Sequence, residues 1–190
     1  LELPRFTLIG ATTRYHLISG PLRNRFGATW RLDFYNQEEM EQIVHRAAKL
    51  LKVAIDTKAE AAIAKRSRAT QRVANRLLKR VRDYAEVHGH SVITLDSAER
   101  TLDLLDIDAY GLEKMDRRIL STLIHTFNGG PAGLQAIAAA ASEEEDTIEE
   151  VYEPYLMQLG FIERTPRGRI AMEKAYQHLG LAYAKQKQLM

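Results

Sequence analysis

The sequence predicts a mainly α chain with a short α/β stretch at its start and a helix-then-hairpin unit at its end. Three observations carry this. Apolar residues recur at helical spacing through most of the chain, as in Met40, Ile43, Val44, Ala47, Ala48 and Leu51. Extended patterns are confined to Phe6 to Ile9, roughly Ala28 to Phe34, and two short runs flanking Thr165-Pro-Arg-Gly168. Strong stops such as Gly129-Gly-Pro131 divide the rest into short helices.

Phe6 to Ile9 is apolar apart from Thr7, as expected of an interior parallel strand, and Gly10-Ala-Thr-Thr-Arg14 leads out of it into a loop. Pro21-Leu-Arg-Asn-Arg-Phe-Gly27 reads as a short helix with Pro21 in its first turn, followed by the second strand. Asn36 and Glu39 form a capping box that opens a longer helix. Asp56, Thr70 and Thr94 open three more, the one from Thr70 with Val73, Leu77, Val81 and Tyr84 on one face and arginines on the other. These four helices make a compact all-α unit, and Asp108-Ala-Tyr-Gly111 is the expected joint after it. A helix from Glu113 carries Ile119, Leu120, Leu123, Ile124 and Phe127. A small Ala-rich helix spans Leu134 to Ala141, and another runs from about Asp146 to Leu159. A hairpin turning at Pro166 and a last helix over Glu173 to His178 complete the order of a winged helix-turn-helix. Ala182 to Met190 reads as a polar, frayed tail.

Across 190 residues the apolar share is 45% and the charged share 27%, which suits a soluble globular chain. No apolar run is long enough to span a bilayer, so no membrane partner is expected. The absence of cysteine excludes a disulfide framework and thiolate metal sites and fits a cytoplasmic setting. His88 and His90 flank Gly89 without an acidic or thiol cluster, so no metal site is expected. The first residue is Leu1, and a strand there needs partners from further protein, so the chain reads as a fragment. The net charge of +2 hides strong local blocks. Lys65, Arg66, Arg68, Arg72, Arg76, Lys79, Arg80 and Arg82 stand in a stretch with no acid. Glu143, Glu144, Glu145, Asp146, Glu149, Glu150 and Glu153 stand in one with no base.

A resemblance covers almost the whole chain. Phe6-Thr-Leu-Ile-Gly-Ala-Thr-Thr-Arg14, Pro21-Leu-Arg-Asn-Arg-Phe-Gly27, Ala74-Asn-Arg-Leu-Leu78, Arg80-Val-Arg-Asp83, Met115-Asp-Arg-Arg118, Gly129-Gly-Pro131, Glu153-Pro-Tyr-Leu156 and Arg164-Thr-Pro-Arg-Gly-Arg169 stand in this order. In that series the chain resembles the C-terminal part of the RuvB family, AAA+ motors of bacterial Holliday-junction branch migration. The resemblance implies four parts: residues 1–36 as a remnant of the AAA+ ATPase core, 37–108 as its helical lid, 109–181 as a DNA-binding winged helix, and 182–190 as a flexible tail. It implies ATP or ADP with Mg²⁺ in the intact protein, a homo-hexamer, duplex and Holliday-junction DNA as partner, and RuvA and RuvC in the junction complex. The RuvA contact of the family lies mostly upstream of these residues. No Gly-x-x-x-x-Gly-Lys-Ser/Thr run is present, so the chain alone is expected neither to hold nor to hydrolyse ATP.

By position in the family's motifs, Arg25 is the expected arginine finger, acting in trans on a neighbouring subunit's nucleotide, with Arg23 as second choice. Thr13 matches the sensor threonine, and Tyr35 the aromatic position beside the nucleotide. Arg72, at the start of the third lid helix, matches the second sensor, where helix dipole and guanidinium both favour phosphate. The family usually has Gly-Thr-Pro-Arg there; Ala69-Thr-Gln-Arg72 lacks the Gly and Pro, which is expected to loosen the turn that aims Arg72.

Arg164, Arg167 and Arg169 cluster on one tight hairpin, where guanidinium groups suit sequence-independent phosphate contacts. The helix that would read bases begins in the acidic block, so binding is expected through the wing and not by base readout. Relatives often carry an Arg near Glu145, so this chain is expected to lack one DNA contact. Two other readings fit the same residues: a clamp-loader-like subunit without a P-loop that lends an arginine finger, and a winged-helix DNA-binding protein without ATPase activity.

Overall fold

A computed structural model describes residues 4–183. The chain divides into two compact units, Leu1–Asp33 and Phe34–Met190.

The first unit holds a 3-10 turn at Tyr15–Leu17 and one short helix, α1 (Gly20–Arg23), with Pro21 in its opening turn. Neither expected strand forms. Phe6 to Ile9 and Ala28 to Phe34 are irregular and solvent-exposed, Ile9 by 88% and Leu32 by 90%. A parallel strand draws its stability from flanking strands and from helices on both faces. No described segment of this unit supplies either, so an apolar run with the right composition stays irregular and unpaired.

The second unit is helical, with two apolar cores. The first is built by α2 (Gln37–Leu51), α3 (Thr57–Lys65), α4 (Gln71–Val87) and α5 (Leu95–Leu104). Three of the four expected caps form, those at Asn36, Asp56 and Thr94. Asn36 Oδ1 accepts from the Glu39 amide at 2.9 Å while Glu39 Oε2 accepts from the Asn36 amide at 2.9 Å. Asp56 Oδ1 accepts from the Ala59 amide at 2.6 Å, and Thr94 pairs reciprocally with Ser97. Met40, Val44, Ile63, Leu77, Leu78, Val81 and Leu102 meet in the interior. Each such side chain contributes about 1.5–3 kcal/mol by leaving water. Val92-Ile93 docks through a single parallel bridge between Ile55 and Ile93.

The second core is formed by α6 (Lys114–His125), α7 (Leu134–Ala141), a broken third helix, and the hairpin β1 (Ile162–Thr165) and β2 (Gly168–Ala171), closed by α10 (Glu173–His178). The third helix was expected to run unbroken. It is split into α8 (Glu145–Thr147), a π turn over Ile148–Tyr152, and α9 (Glu153–Gln158). Pro154 explains the break: it has no N–H to donate, and its ring crowds the carbonyl four residues earlier, which a wider turn relieves. β1 and β2 pair antiparallel, with Arg164 opposite Arg169 and Thr165 opposite Gly168. Ala132 adds a bridge to Arg169 on the other edge. Leu120, Leu123, Ile137, Leu156 and Phe161 fill the interior. Of the tail, residues 184–190 lie outside the described residues. No helix among the described residues is long and apolar enough to cross a membrane.

Candidate functional site

Two basic surfaces and the turn between them hold the charged residues predicted for the second unit. The first is the start of α4. Ala74, Leu77, Leu78, Val81 and Ala85 bury one face of this helix, which leaves Arg72, Arg76, Lys79 and Arg80 exposed on the other. Thr70 stands at the N-cap position, yet its hydroxyl donates back to the Ser67 carbonyl at 3.3 Å and does not cap the helix. The first-turn amides, which have no partner within a helix, are therefore left to an outside acceptor. Arg72 is exposed beside them with no ion pair among the described residues. The Tyr35 amide donates to the Ala69 carbonyl at 3.4 Å, so Tyr35 and the turn before Arg72 are held together.

That turn has an unusual backbone. Arg68 and Ala69 both adopt left-handed backbone, φ 53° and 49°. Ala69 occupies the position where the family's glycine would meet this geometry without strain. What holds it here is Arg68. Its guanidinium reaches Asp116 on α6 with Nη1 to Oδ2 and Nη2 to Oδ1, both at 3.1 Å. Asp116 is 0% exposed, and burial pushes its carboxyl above the usual range despite the neighbouring Arg68 cation. The guanidinium carbon also stands 4.8 Å from the centre of the Tyr155 ring.

The second basic surface is the hairpin. Arg164, Arg167 and Arg169 do cluster, but two of them are engaged. Arg164 Nε donates to Glu153 Oε1 at 2.7 Å, and its Nη2 to Glu149 Oε1 at 2.8 Å. Arg169 donates from Nε and Nη2 to Glu153 Oε2 at 3.1 and 2.9 Å. The hydrogen bond that Arg164 donates to Glu153, with the charge of Glu153 and the bond to Glu149, outweighs burial and raises the Arg164 pKa. The Arg164 side chain keeps 46% exposure and Arg169 only 15%. Arg167, at the exposed tip, has no side-chain partner among the described residues; its amide donates to Thr165 Oγ1 at 3.3 Å. The inner carboxylates of the acidic helix therefore fix the wing.

The comparisons with known proteins decide what this assembly is. Residues 1–32 match the family described as the Holliday junction DNA helicase RuvB P-loop domain. Residues 35–108 match the RuvB AAA lid domain, and residues 109–180 the RuvB C-terminal winged helix domain. The chain belongs to the RuvB family. Among curated relatives, the Holliday junction branch migration complex subunit RuvB of Dehalococcoides mccartyi (strain CBDB1) is 58% identical over 187 residues, 98% of this chain and 54% of that protein. The same subunit of Thermomicrobium roseum is 58% identical over 183 residues, 96% of this chain and 52% of that protein. The chain thus spans about half the length of the curated RuvB relatives it matches. The solved structure of the Thermotoga maritima RuvB Holliday junction branch migration motor superposes with a TM-score of 0.84 at 51% identity, covering 89% of this chain and 57% of that one.

The residues expected at the site from the sequence fall into two groups. Thr13 and Arg25 lie in the first unit, both exposed; the Arg25 amide donates to the Leu22 carbonyl at 3.1 Å. The guanidinium carbon of Arg23, the second choice for the finger, stands 5.4 Å from the centre of the Tyr15 ring. Tyr35, Arg72 and the hairpin arginines lie in the second. Sequence reasoning missed Arg68, Asp116 and Glu153. A signal existed for the two acids: Asp116 stands three and four residues before Ile119 and Leu120, and Glu153 three before Leu156, each on an otherwise apolar face.

Proposed function

We propose that this chain is the sensing and DNA-holding part of an ATP-dependent motor that drives branch migration of Holliday junctions. The observation that carries the reading is the pairing of two open basic ends in one unit. Arg72 stands at an uncapped helix start on the lid, and Arg167 at the tip of the winged-helix hairpin.

The residues at the start of α4 fit a nucleotide phosphate. First-turn amides supply dipole and donors, and Arg72 supplies a bidentate cation. When bound upstream with Mg²⁺, ATP supplies the phosphoryl group whose transfer to water drives the motor. Arg72 follows the phosphates as the lid turns, and Tyr35 lies beside the nucleotide at the hinge. Thr13 orients the attacking water or γ-phosphate through its hydroxyl. Arg25, from the neighbouring subunit of a hexamer, stabilises the charge that spreads over the transferred group. The chain alone, lacking a phosphate loop, turns over no ATP.

On DNA, Arg167 makes the leading phosphate contact and half-exposed Arg164 the second. Arg169 acts mainly as a strut for the hairpin. Phosphate contacts carry affinity without sequence information, as a motor that must pass any sequence requires. RuvA and RuvC are further partners in the junction complex, with the RuvA contact mostly upstream of these residues, in a cytoplasmic setting.

The test is Arg25→Ala in the intact protein. Nucleotide binding persists and ATP turnover falls by about 10³-fold or more, as for arginine fingers in general. Turnover within a few-fold of the parent rejects this role.

A further inference from the structure

The turn Arg66 to Ala69 touches the winged helix at four places, although it belongs to the lid. A Cβ on Gly111 would stand 2.6 Å from the Arg66 carbonyl oxygen, so the interdomain joint lies against the turn's backbone. Arg68 then reaches Asp116 on α6, the Val151 carbonyl of the π turn at 3.4 Å, and the face of Tyr155 on α9. Tyr155 in turn donates its hydroxyl to the Tyr110 carbonyl at 2.6 Å.

A single exposed ion pair would let two domains swivel. A fork-to-carboxylate pair fixes the guanidinium plane, the ring beneath fixes its tilt, and the third acceptor removes the remaining rotation. Arg68 is 9% exposed and Asp116 0%, so opening the contact means rehydrating a charged pair already shut from water. The backbone agrees. Arg68 and Ala69 hold left-handed geometry that non-glycine residues rarely adopt, and such strain persists only where its surroundings over-determine it. Four residues after Arg68 comes Arg72. Two residues before Tyr155 is Glu153, which holds Arg164 and Arg169.

We infer that Arg68 is a positioning residue that latches the turn aiming Arg72 onto the winged helix, so that lid and winged helix turn as one body and the state sensed at Arg72 reaches the wing. The latch stands on geometry alone; its use in signalling rests on the proposed role of Arg72.

The chain has no cysteine, so spin labels can be placed at will. Glu99→Cys at an exposed position of α5 and Glu163→Cys at an exposed position of β1 report the distance between the two cores by pulsed electron resonance. The parent gives one narrow distance distribution; Arg68→Met broadens it, and Arg68→Lys, which keeps the charge but not the fork, broadens it too. Circular dichroism confirms that both cores stay folded, and Asp116→Asn provides a milder break of the same contact. Narrow distributions in all folded variants overturn the latch.

The second arm uses the intact protein and compares duplex affinity with ADP and with a non-hydrolysable ATP analogue. Nucleotide and DNA binding are linked reciprocally, so the ratio of the two affinities measures the coupling. Arg68→Met brings that ratio toward one by about two- to thirtyfold. An unchanged ratio overturns transmission through Arg68 even if the labels broaden. A parent protein whose DNA affinity ignores nucleotide overturns transmission together with the role given to Arg72, while the labels still judge the joint.

Discussion

Arg164 donates through Nε to Glu153 over 2.7 Å, and Glu153 is a carboxylate with 1% of its surface exposed. Glu153 is shared, since Arg169 takes its other oxygen. A buried acid thereby ties both strands of the hairpin to α9. Glu153→Gln keeps the shape and removes the charge. Charge-assisted hydrogen bonds contribute about 1.5–3 kcal/mol each, but half-exposed Arg164 can recover water, so the expected loss is about 1–3 kcal/mol in total. Urea unfolding of the chain measures it, and an unchanged midpoint would show that the wing needs no anchor.

The hairpin also depends on two close backbone approaches. Gly168 has φ 135° and would place a Cβ against the Ala132 carbonyl; Gly130 has φ 93° and would place one against the Arg169 carbonyl. Strained backbone and overlap with main-chain atoms act together. Gly168→Ala and Gly130→Ala should each cost about 2–4 kcal/mol, read from denaturant midpoints. A loss below about 0.5 kcal/mol at either position would contradict the register between Ala132 and β2.

These two cases show what could be read from the sequence. Helix starts were legible because caps are local: Asn36 with Glu39, Asp56, and Thr94 each act within three residues. The winged-helix order was legible from the stop at Gly129-Gly-Pro131 and the turn at Thr165-Pro-Arg-Gly168. The partnerships of Arg68 with Asp116, and of Arg164 and Arg169 with Glu153, join residues far apart in the chain. Only burial of an acid on an apolar face hinted at them. The strands expected near Phe6 and Leu32 had strand-like composition, but a strand is completed by neighbours, and composition does not supply those.

Tyr155 gives a pH prediction. Burial, only partly offset by the Arg68 cation, pushes its phenol from 10 up to about 12. The folded chain therefore keeps this proton where the unfolded chain has begun to lose it. The associated stability is fully present below pH 10 and is lost as pH rises toward 12. Tyr155→Phe should unfold more easily at pH 8, having lost the bond to Tyr110, but show a weaker further decline in alkali than the parent. Equal slopes for the two proteins above pH 10 would rule out Tyr155 as the group responsible.

The central claim, that the wing grips duplex through phosphate and reads no bases, is tested most directly by salt titration of DNA binding to this chain. Affinity for two duplexes of unrelated sequence is followed against salt for the parent and for Arg167→Ala. Each phosphate contact contributes about 0.9 to the slope of log affinity on log salt. The account predicts equal affinities for the two duplexes and a slope shallower by about 0.9 in Arg167→Ala on both. An unchanged slope, or a loss confined to one sequence, would contradict it.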